Sequence, residues 1–272
     1  MKSNSQQIKL FLVVALSCTS LLVSLTPVMA KPTLDSSPSD GGAKTNLAQA
    51  KAFNQPSLPS GPPPGGRVRG GAKRDGGDAC PLPITKTDLT ALVPFTEEAD
   101  SVINVWGQTT VERPSWFFYV PYTKDLPYAV EFVLQQDLKD IYREAIALPD
   151  KAGVMRVSLP TSAPALALNK QYRWFLTVKC DHQDNSPPTF VEGVIQRIKL
   201  KPAALKELQT TQPLKRYAIY AQNGIWYEAL TILAQLRDQN PKDAALQAEW
   251  QNLLSSIRLD DIAAEPIVSE KP

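Results

Sequence analysis

The chain has 272 residues, with 29 Lys and Arg against 27 Asp and Glu and a formal net charge of +2. Two of the lysines lie in the predicted export signal described next, so the mature chain carries 27 residues of each sign. This neutrality argues against an electrostatic nucleic-acid binder, whose phosphate contacts need a basic excess.

Residues 1–30 have the pattern of an export signal. Lys2 and Lys9 supply a positive start without any acid, and an apolar run follows from Leu10 to about Val28. Small residues before Ala30 predict cleavage after Ala30, and thus a periplasmic or extracellular protein. An uncleaved anchor is the first alternative, since the run just reaches the roughly 18–20 residues of a spanning helix. Membrane contact is expected only in that case.

The three cysteines suggest a lipoprotein as the second alternative to a cleaved signal, and they predict a disulfide. Acylation of Cys18 would make a lipoprotein, although the usual Leu three residues earlier is missing. Signal cleavage removes Cys18 and leaves Cys80 and Cys180, which in an exported protein predict one disulfide. Two unrelated buried thiols are the competing interpretation. Closing a loop of about a hundred residues contributes up to roughly 4–5 kcal/mol in the chain-entropy model.

Residues 31–79 show no periodicity and are dominated by Pro, Gly, Ser and Ala, as in PSLPSGPPPGGRVRGGAKRDGGD. Such composition carries too little apolar surface to offset the entropy of ordering, which predicts a disordered linker. Its glycines do not form a phosphate loop, because no strand precedes them and no Gly-Lys-Ser/Thr follows.

Residues 80–200 change to a period of two, which is typical of strands. Eight short runs separated by Pro, Gly, Asn and Asp predict an all-β sandwich, immunoglobulin-like or jelly-roll-like. The runs are LTALVP, SVINVWG, SWFFYVP, YAVEFVLQ, IYREAIALP, GVMRVSLP, QYRWFLTVKC and FVEGVIQRI. IYREAIALP could instead begin a helix, but a strand paired with YAVEFVLQ through QDLKD is the preferred interpretation.

The run SWFFYVPY is apolar on both sides of the expected strand. A central strand covered on both faces explains this, and burial is the expected state of large apolar side chains. The alternative is an exposed aromatic platform of Phe117 and Tyr119, with Trp106, on which a sugar ring or a peptide could stack.

Residues 201–260 have helical periodicity and predict a small bundle, followed by a disordered tail at 261–272. Pro202 to Leu208 could form a short helix, and a helix opened by Pro213 should end at Asn223-Gly224. A further helix from Ile225 to Asp238 and one capped by Asp243 complete three main helices with short connections.

Part of this bundle looks like a tetratricopeptide repeat. In YAQNGIWYEALTILAQLRDQNPKD, Gly224 ends one helix, Ala229-Leu230 starts the next packing face, and Pro241 closes the unit. Tyr217 departs from the repeat, which prefers a small residue there. A lone unit should dock on the sandwich, another protomer or a partner, since such arrays usually need three or more units.

The whole chain also resembles an exported cyanobacterial domain-of-unknown-function family, DUF928. The matching segments are LTALVP, SWFFYVPY with AVEFVLQQD, the LP-x-x-APALALNKQYRW segment, Cys180-Asp181 and VEGVIQRI. The resemblance implies an exported, cyanobacterial-type protein and no known activity.

No catalytic, metal or cofactor motif is recognisable. The single histidine, His182, lies in CDHQDN, where a solvated turn is the expected state, and no nucleophile turn accompanies it. Acids near strands, such as Glu131 and Glu192, alternate with inward residues and fit a solvated face. We therefore expect a non-enzymatic protein without cofactor or metal, although a hydrolase without a local motif stays open.

The expected function is protein interaction at the cell envelope. Candidate contact residues on the helical unit are Tyr220, Trp226 and Tyr227. The alternative is a carbohydrate-binding or cell-wall-binding module that uses the Phe117–Tyr119 platform. The expected partner is thus an envelope protein or, in the alternative, cell-wall polysaccharide, and no nucleic acid.

Overall fold

The computed structural model describes residues 53–70, 80, 87–98, 101–180 and 187–268. All of them belong to one compact unit that spans residues 47–272. Within these ranges, no helix is both long enough and apolar enough to span a bilayer. The predicted signal, its cleavage position Ala30 and Cys18 lie outside the described residues.

The described residues form eleven strands in two sheets. The five-stranded sheet has the order β1-β2-β5-β8-β11, and its strands are Arg69–Gly70, Leu89–Ala91, Ser115–Val120, Gly153–Ser158 and Ile267–Val268. The six-stranded sheet has the order β3-β4-β10-β9-β6-β7. Its strands are β3 Phe95–Glu97, β4 Ile103–Thr109, β6 Ala129–Gln136, β7 Lys139–Ile146, β9 Gln171–Lys179 and β10 Thr189–Arg197. Most neighbours are antiparallel, but β10 pairs with β4 in parallel and β11 pairs with β8 in parallel.

The two sheets pack together through aromatic rings from β5. The Trp116 ring lies 4.9 Å from that of Phe132 in β6, and the Phe118 ring lies 5.7 Å from that of Trp174 in β9. All six residues of β5 are buried. The prediction of a central strand covered on both faces is therefore confirmed, and the apolar outer side of β5 needs no external ligand to explain it.

The predicted pairing of IYREAIALP with YAVEFVLQ is confirmed as that of β7 with β6. In β9 burial alternates along the strand, and the buried side chains are Tyr172, Trp174, Leu176 and Val178. IYREAIALP forms the strand β7 and pairs with β6 across a tight turn, where Asp137 and Leu138 have φ of 49° and 64°. These positive φ values match the twist of an antiparallel hairpin.

Four helices follow the last long strand in the described part of the chain. They are α1 Pro202–Thr210, α2 Pro213–Gln222, α3 Trp226–Gln239 and α4 Ala244–Ser255. Asp243 caps α4 as predicted, because its carboxylate accepts from the N–H groups of Ala245 and Leu246. Gly224, at φ +75°, ends α2 at the expected position.

The linker prediction is wrong for residues 53–70, which we call the N-terminal strap. The strap lies on the domain: the Phe53 ring packs edge-on against Trp226 at 4.9 Å, and Arg67 exchanges two backbone hydrogen bonds of 2.9 Å with Glu192. Glycine in the strap allows its backbone to approach the backbone of β10 closely. A Cβ on Gly66 would lie 2.8 Å from the Glu192 carbonyl oxygen, and the residue has φ +130°.

The tail prediction is also wrong, up to Val268. Asp260–Ile262 forms a 3₁₀ turn, and β11 then pairs with β8. Asp261 accepts two hydrogen bonds of 2.8 Å from the Arg69 guanidinium and so ties the turn to the strap. Both misassigned segments gain their order from distant partners that local composition does not reveal.

Candidate functional site

A groove lies between the edges of the two sheets and the C-terminal half of α3. Its volume is about 460 Å³. We call it the Arg156 groove. Its strand residues are Phe117 of β5, Glu144 and Ile146 of β7, Arg156, Val157 and Ser158 of β8, and Ile267 and Val268 of β11. The helix contributes Ala234, Gln235 and Asp238.

Arg156 is the cation that lines this groove. Its Nε donates to Ser115 Oγ at 3.0 Å, and Ser115 Oγ lies 2.9 Å from Ser158 Oγ. No carboxylate of the described residues lies within 4.0 Å of the guanidinium. Surrounding protein atoms remove water from the side chain and lower the pKa of Arg156, which stays cationic at neutral pH. A partly desolvated cation without a carboxylate favours an anionic ligand group.

A smaller cavity of about 220 Å³ adjoins the groove and shares Arg156 with it. Its other polar lining residues are Arg113, Ser115, Tyr220, Glu228 and Thr231. Arg113 is occupied, because it donates to the carbonyl oxygens of Pro160, Thr161 and Ala163. Arg156 therefore stands between two cavities as the cation that is open to a ligand.

Glu228 fixes the helix wall of the groove. Its buried Oε1 accepts from Thr109 Oγ1 at 3.0 Å, Thr110 N at 2.5 Å, Thr110 Oγ1 at 2.6 Å and Val111 N at 3.0 Å. Its Oε2 is buried and has no hydrogen-bond partner among the described residues. Burial raises the pKa of Glu228, although the hydrogen bonds from Thr110 and Thr109 oppose the shift. These contacts lock the first turn of α3 to the end of β4.

The aromatic residues that the sequence proposes as a platform are buried. Phe117, Tyr119 and Trp106 are 2%, 1% and 1% exposed. The alternative of an exposed stacking surface is therefore wrong, and the expected burial is observed. Phe117 contributes only to the floor of the Arg156 groove.

The helical candidates are largely core residues as well. Trp226 is fully buried and donates from Nε1 to the Leu92 carbonyl at 2.7 Å. Tyr227 is 2% exposed and packs edge-on against Trp116 at 5.9 Å. Tyr220 is half-buried at the smaller cavity. The structure thus brings Tyr220 and Tyr227 together with Arg156, but Trp226 and Tyr227 are not free contact residues.

A family model described as Domain of Unknown Function (DUF928) matches residues 69–267. The chain belongs to this family. The match begins at the first residue of β1 and ends at the first residue of β11, so the DUF928 region includes both sheets and all four helices described above. No curated protein and no solved structure matches the chain.

The predicted disulfide of the DUF928 chain is not formed in the structure, where Cys80 and Cys180 are both thiols. Cys80 is buried, and its Sγ donates to the Val178 carbonyl at 3.5 Å, two residues before Cys180. Burial raises the pKa of Tyr122, and both thiols add to the shift. The Tyr122 hydroxyl donates to the Cys80 carbonyl at 3.5 Å, and the pairing of Cys80 with Cys180 stays a prediction.

We expect the chain to contain the Cys80–Cys180 disulfide once its predicted signal is removed in an oxidising compartment. Alkylation in denaturant should add no label before reduction and two labels after it, as measured by intact mass. The Cys80→Ser variant, which cannot form the bond, should show one label without reduction. Two labels on the unreduced wild-type chain would contradict the pairing.

Among the described residues, no group of three His, Cys, Asp or Glu side chains could hold a metal ion. His182 lies outside them. The Arg156 groove itself was missed by sequence reasoning, because Arg156 occupies an ordinary outward position in the strand GVMRVS. One sequence feature could have indicated the groove: Arg156 is the charged residue of a mostly apolar strand, and the adjacent strand β5 is also mostly apolar.

Proposed function

We propose that this DUF928 protein is an exported, non-catalytic interaction module of the cell envelope, and that it binds a protein partner in the Arg156 groove. The observation that carries the proposal is the groove itself. Apolar side chains and five polar or charged ones line it, Arg156 has no carboxylate of the described residues within 4.0 Å, and the walls come from two edge strands and a helix. A concave site where a few polar groups converge beside apolar side chains is the usual form of a recognition site.

Charge supports a protein segment as the occupant. Arg156 offers two Nη groups for a carboxylate, which an arginine binds with paired hydrogen bonds. Glu144 and Asp238 line the same groove and favour a basic or hydrogen-bond-donating group a short distance away. A peptide can present both signs and apolar side chains along one extended backbone.

The finer fold assignments belong to the same proposal. We propose that the two sheets form an immunoglobulin-like or jelly-roll-like sandwich, and that α2 and α3 form a tetratricopeptide-like pair docked on it. The departure at Tyr217 has a physical account, because the buried Tyr217 hydroxyl donates to the Glu249 carboxylate of α4. The family resemblance to cyanobacterial proteins supports an envelope location.

A site-specific cross-linking experiment tests the proposal. A photoreactive residue at Gln235, in the groove, should cross-link one protein in the native envelope fraction, whereas the same group at Gln251, exposed on α4 outside the groove, should not. Adding Arg156→Glu should reduce the Gln235 product at least about tenfold, since it replaces the carboxylate-binding cation by a repelling charge. Equal products from both positions, or a product indifferent to Arg156→Glu, would contradict binding in the groove.

A further inference from the structure

The strand β7 forms the outer edge of the six-stranded sheet. It is eight residues long, and no described strand pairs with its outer side. An open edge of this length is a template for another extended chain, which proteins usually prevent with charged side chains. Four of the six residues in the segment Lys139–Glu144 are charged. The order of these charges determines which chain can pair with β7.

A β-bulge makes the side-chain directions in Lys139–Glu144 symmetric. Asp140 and Tyr142 pair with consecutive residues of β6, so Ile141 is an extra residue. Ile141 and Tyr142 both pack against the core, whereas Asp140 and Arg143 meet on the outer face in an ion pair of 2.6 Å. By alternation, the two end residues of the segment return to the core side. The six directions are therefore symmetric about a point between Ile141 and Tyr142.

The charges of the same segment are complementary to those of a second, antiparallel copy. The sequence KDIYRE has the signs plus, minus, neutral, neutral, plus and minus. With an axis at the symmetric point, Lys139 stands opposite Glu144 of the second copy, and Asp140 stands opposite Arg143 of the second copy. Opposite charges directly across two strands stabilise their pairing, whereas like charges destabilise it. A shift by one residue would place Lys139 opposite Arg143 or Asp140 opposite Glu144, so the charges select one register.

The backbone groups of Asp140 and Arg143 point to the open side of β7. Lys139 pairs with Gln136 next to the two-residue turn, so its N–H and carbonyl point to β6 and those of Asp140 point away. Val133 lies three residues before Gln136 in β6, and its backbone groups therefore point away from β7. Arg143 stands opposite Val133, so its own groups point outward as well. In the register that the charges select, Asp140 of each copy can exchange backbone hydrogen bonds with Arg143 of the other.

We propose that two copies of this chain associate through β7, antiparallel about a two-fold axis between Ile141 and Tyr142, so that their six-stranded sheets become one continuous sheet. A second copy fits this edge because side-chain direction, charge and backbone groups are all self-complementary there, as a two-fold interface requires. Leu138 of the turn is 89% exposed at φ 64°, and the same register brings it beside the exposed Ala145 of the second copy. The inference does not depend on binding in the Arg156 groove.

Sedimentation equilibrium of the chain from Lys31 to Pro272, which includes the whole compact unit, tests the association. A single strand pair buries little surface, so we expect a reversible dimer with a dissociation constant in the micromolar to millimolar range. Lys139→Glu and Glu144→Lys each place two like-charge pairs across the interface and should weaken the dimer at least about tenfold. Lys206→Glu makes the same charge change as Lys139→Glu at an exposed position of α1 and should stay within about twofold of wild type.

Mixing the two charge variants keeps the test independent of variant folding. In a heterodimer of Lys139→Glu with Glu144→Lys, both end pairs regain opposite charges, so an equimolar mixture should dimerise at least about tenfold more tightly than either variant alone. The double variant Lys139→Glu/Glu144→Lys should likewise return to within about threefold of wild type.

Three results would overturn the proposal. They are a wild-type chain that stays monomeric throughout this range, a dimer that neither charge variant weakens, and a mixture that associates no better than its components. Dimerisation only by a chain ending at Val268 would show that residues 269–272 cover the edge, and it would also overturn association of the longer chain through β7.

Discussion

A chain that begins at Gly71 is expected to have a free energy of unfolding about 4 kcal/mol lower than a chain that begins at Phe53. The difference is the contribution of the N-terminal strap. Burial of Phe53 and Val68 contributes roughly 1.5–3 kcal/mol each, before the cost of ordering the segment. The backbone hydrogen bonds of Arg67 with Glu192 and of Ala91 with Val68 add about 1 kcal/mol each.

Urea unfolding of the two chains, followed by tryptophan fluorescence, measures this difference. Phe53→Ala in the longer chain should produce a partial loss of about 3 kcal/mol, because it removes the ring that packs edge-on against Trp226. Val68→Ala is a second partial variant on a different sheet contact. Equal midpoints for the two chain lengths would show that the strap does not stabilise the domain.

Glu228→Ala is expected to lower the free energy of unfolding by about 2–4 kcal/mol, because it leaves the buried donors of Thr109, Thr110 and Val111 without their acceptor. Glu228→Gln keeps an acceptor at Oε1 and should behave differently with pH. Burial raises the carboxyl pKa in the folded state, so the folded protein holds the proton more tightly than the unfolded chain.

The sign of the pH effect follows from that direction. The stability contributed by protonated Glu228 is fully present below the ordinary carboxyl pKa of about 4.3 and is lost as the pH rises through the raised folded pKa. Wild type should therefore lose stability relative to Glu228→Gln as the pH rises from the ordinary carboxyl pKa of about 4.3 through the raised folded pKa. Urea unfolding at several pH values measures the difference, and a difference that is constant or grows in the opposite direction would refute the raised pKa.

The strands and helices could be predicted from sequence wherever a local pattern of side chains determines the secondary structure. The alternation in β9, the two apolar sides of β5 and the cap at Asp243 each have a local cause. The strap and β11 could not be predicted, because their order comes from distant residues such as Glu192 and Val154. Glycine in the strap allows the close approach of two backbones. A composition rich in glycine and proline is equally typical of a disordered chain, so composition alone could not separate the two.

The candidate site was less predictable than the fold. Aromatic residues drew attention as contact residues, but Trp106, Phe117 and Trp226 fill the core of a domain that packs two sheets and a helix together. The groove depends on which strand edges stay open and on where α3 lies, and both follow from tertiary packing. Arg156 is a candidate ligand-binding cation because no carboxylate of the described residues lies within 4.0 Å of it. No local sequence pattern encodes that distance.

The long sequence separations of the closing contacts determine the order in which this chain can fold. Arg69 meets Asp261 across 192 positions, Leu92 meets Trp226 across 134, and β4 lies beside β10 in parallel. Such non-local topology is slow to form, and early strands keep open edges until the last helices are available. Synthesis from the N-terminus therefore delays completion of both sheets, and a chain stopped near Lys201 lacks the residues that close its first strands. For the export proposed above, this delay is favourable, because folding becomes complete only after the whole sequence has arrived.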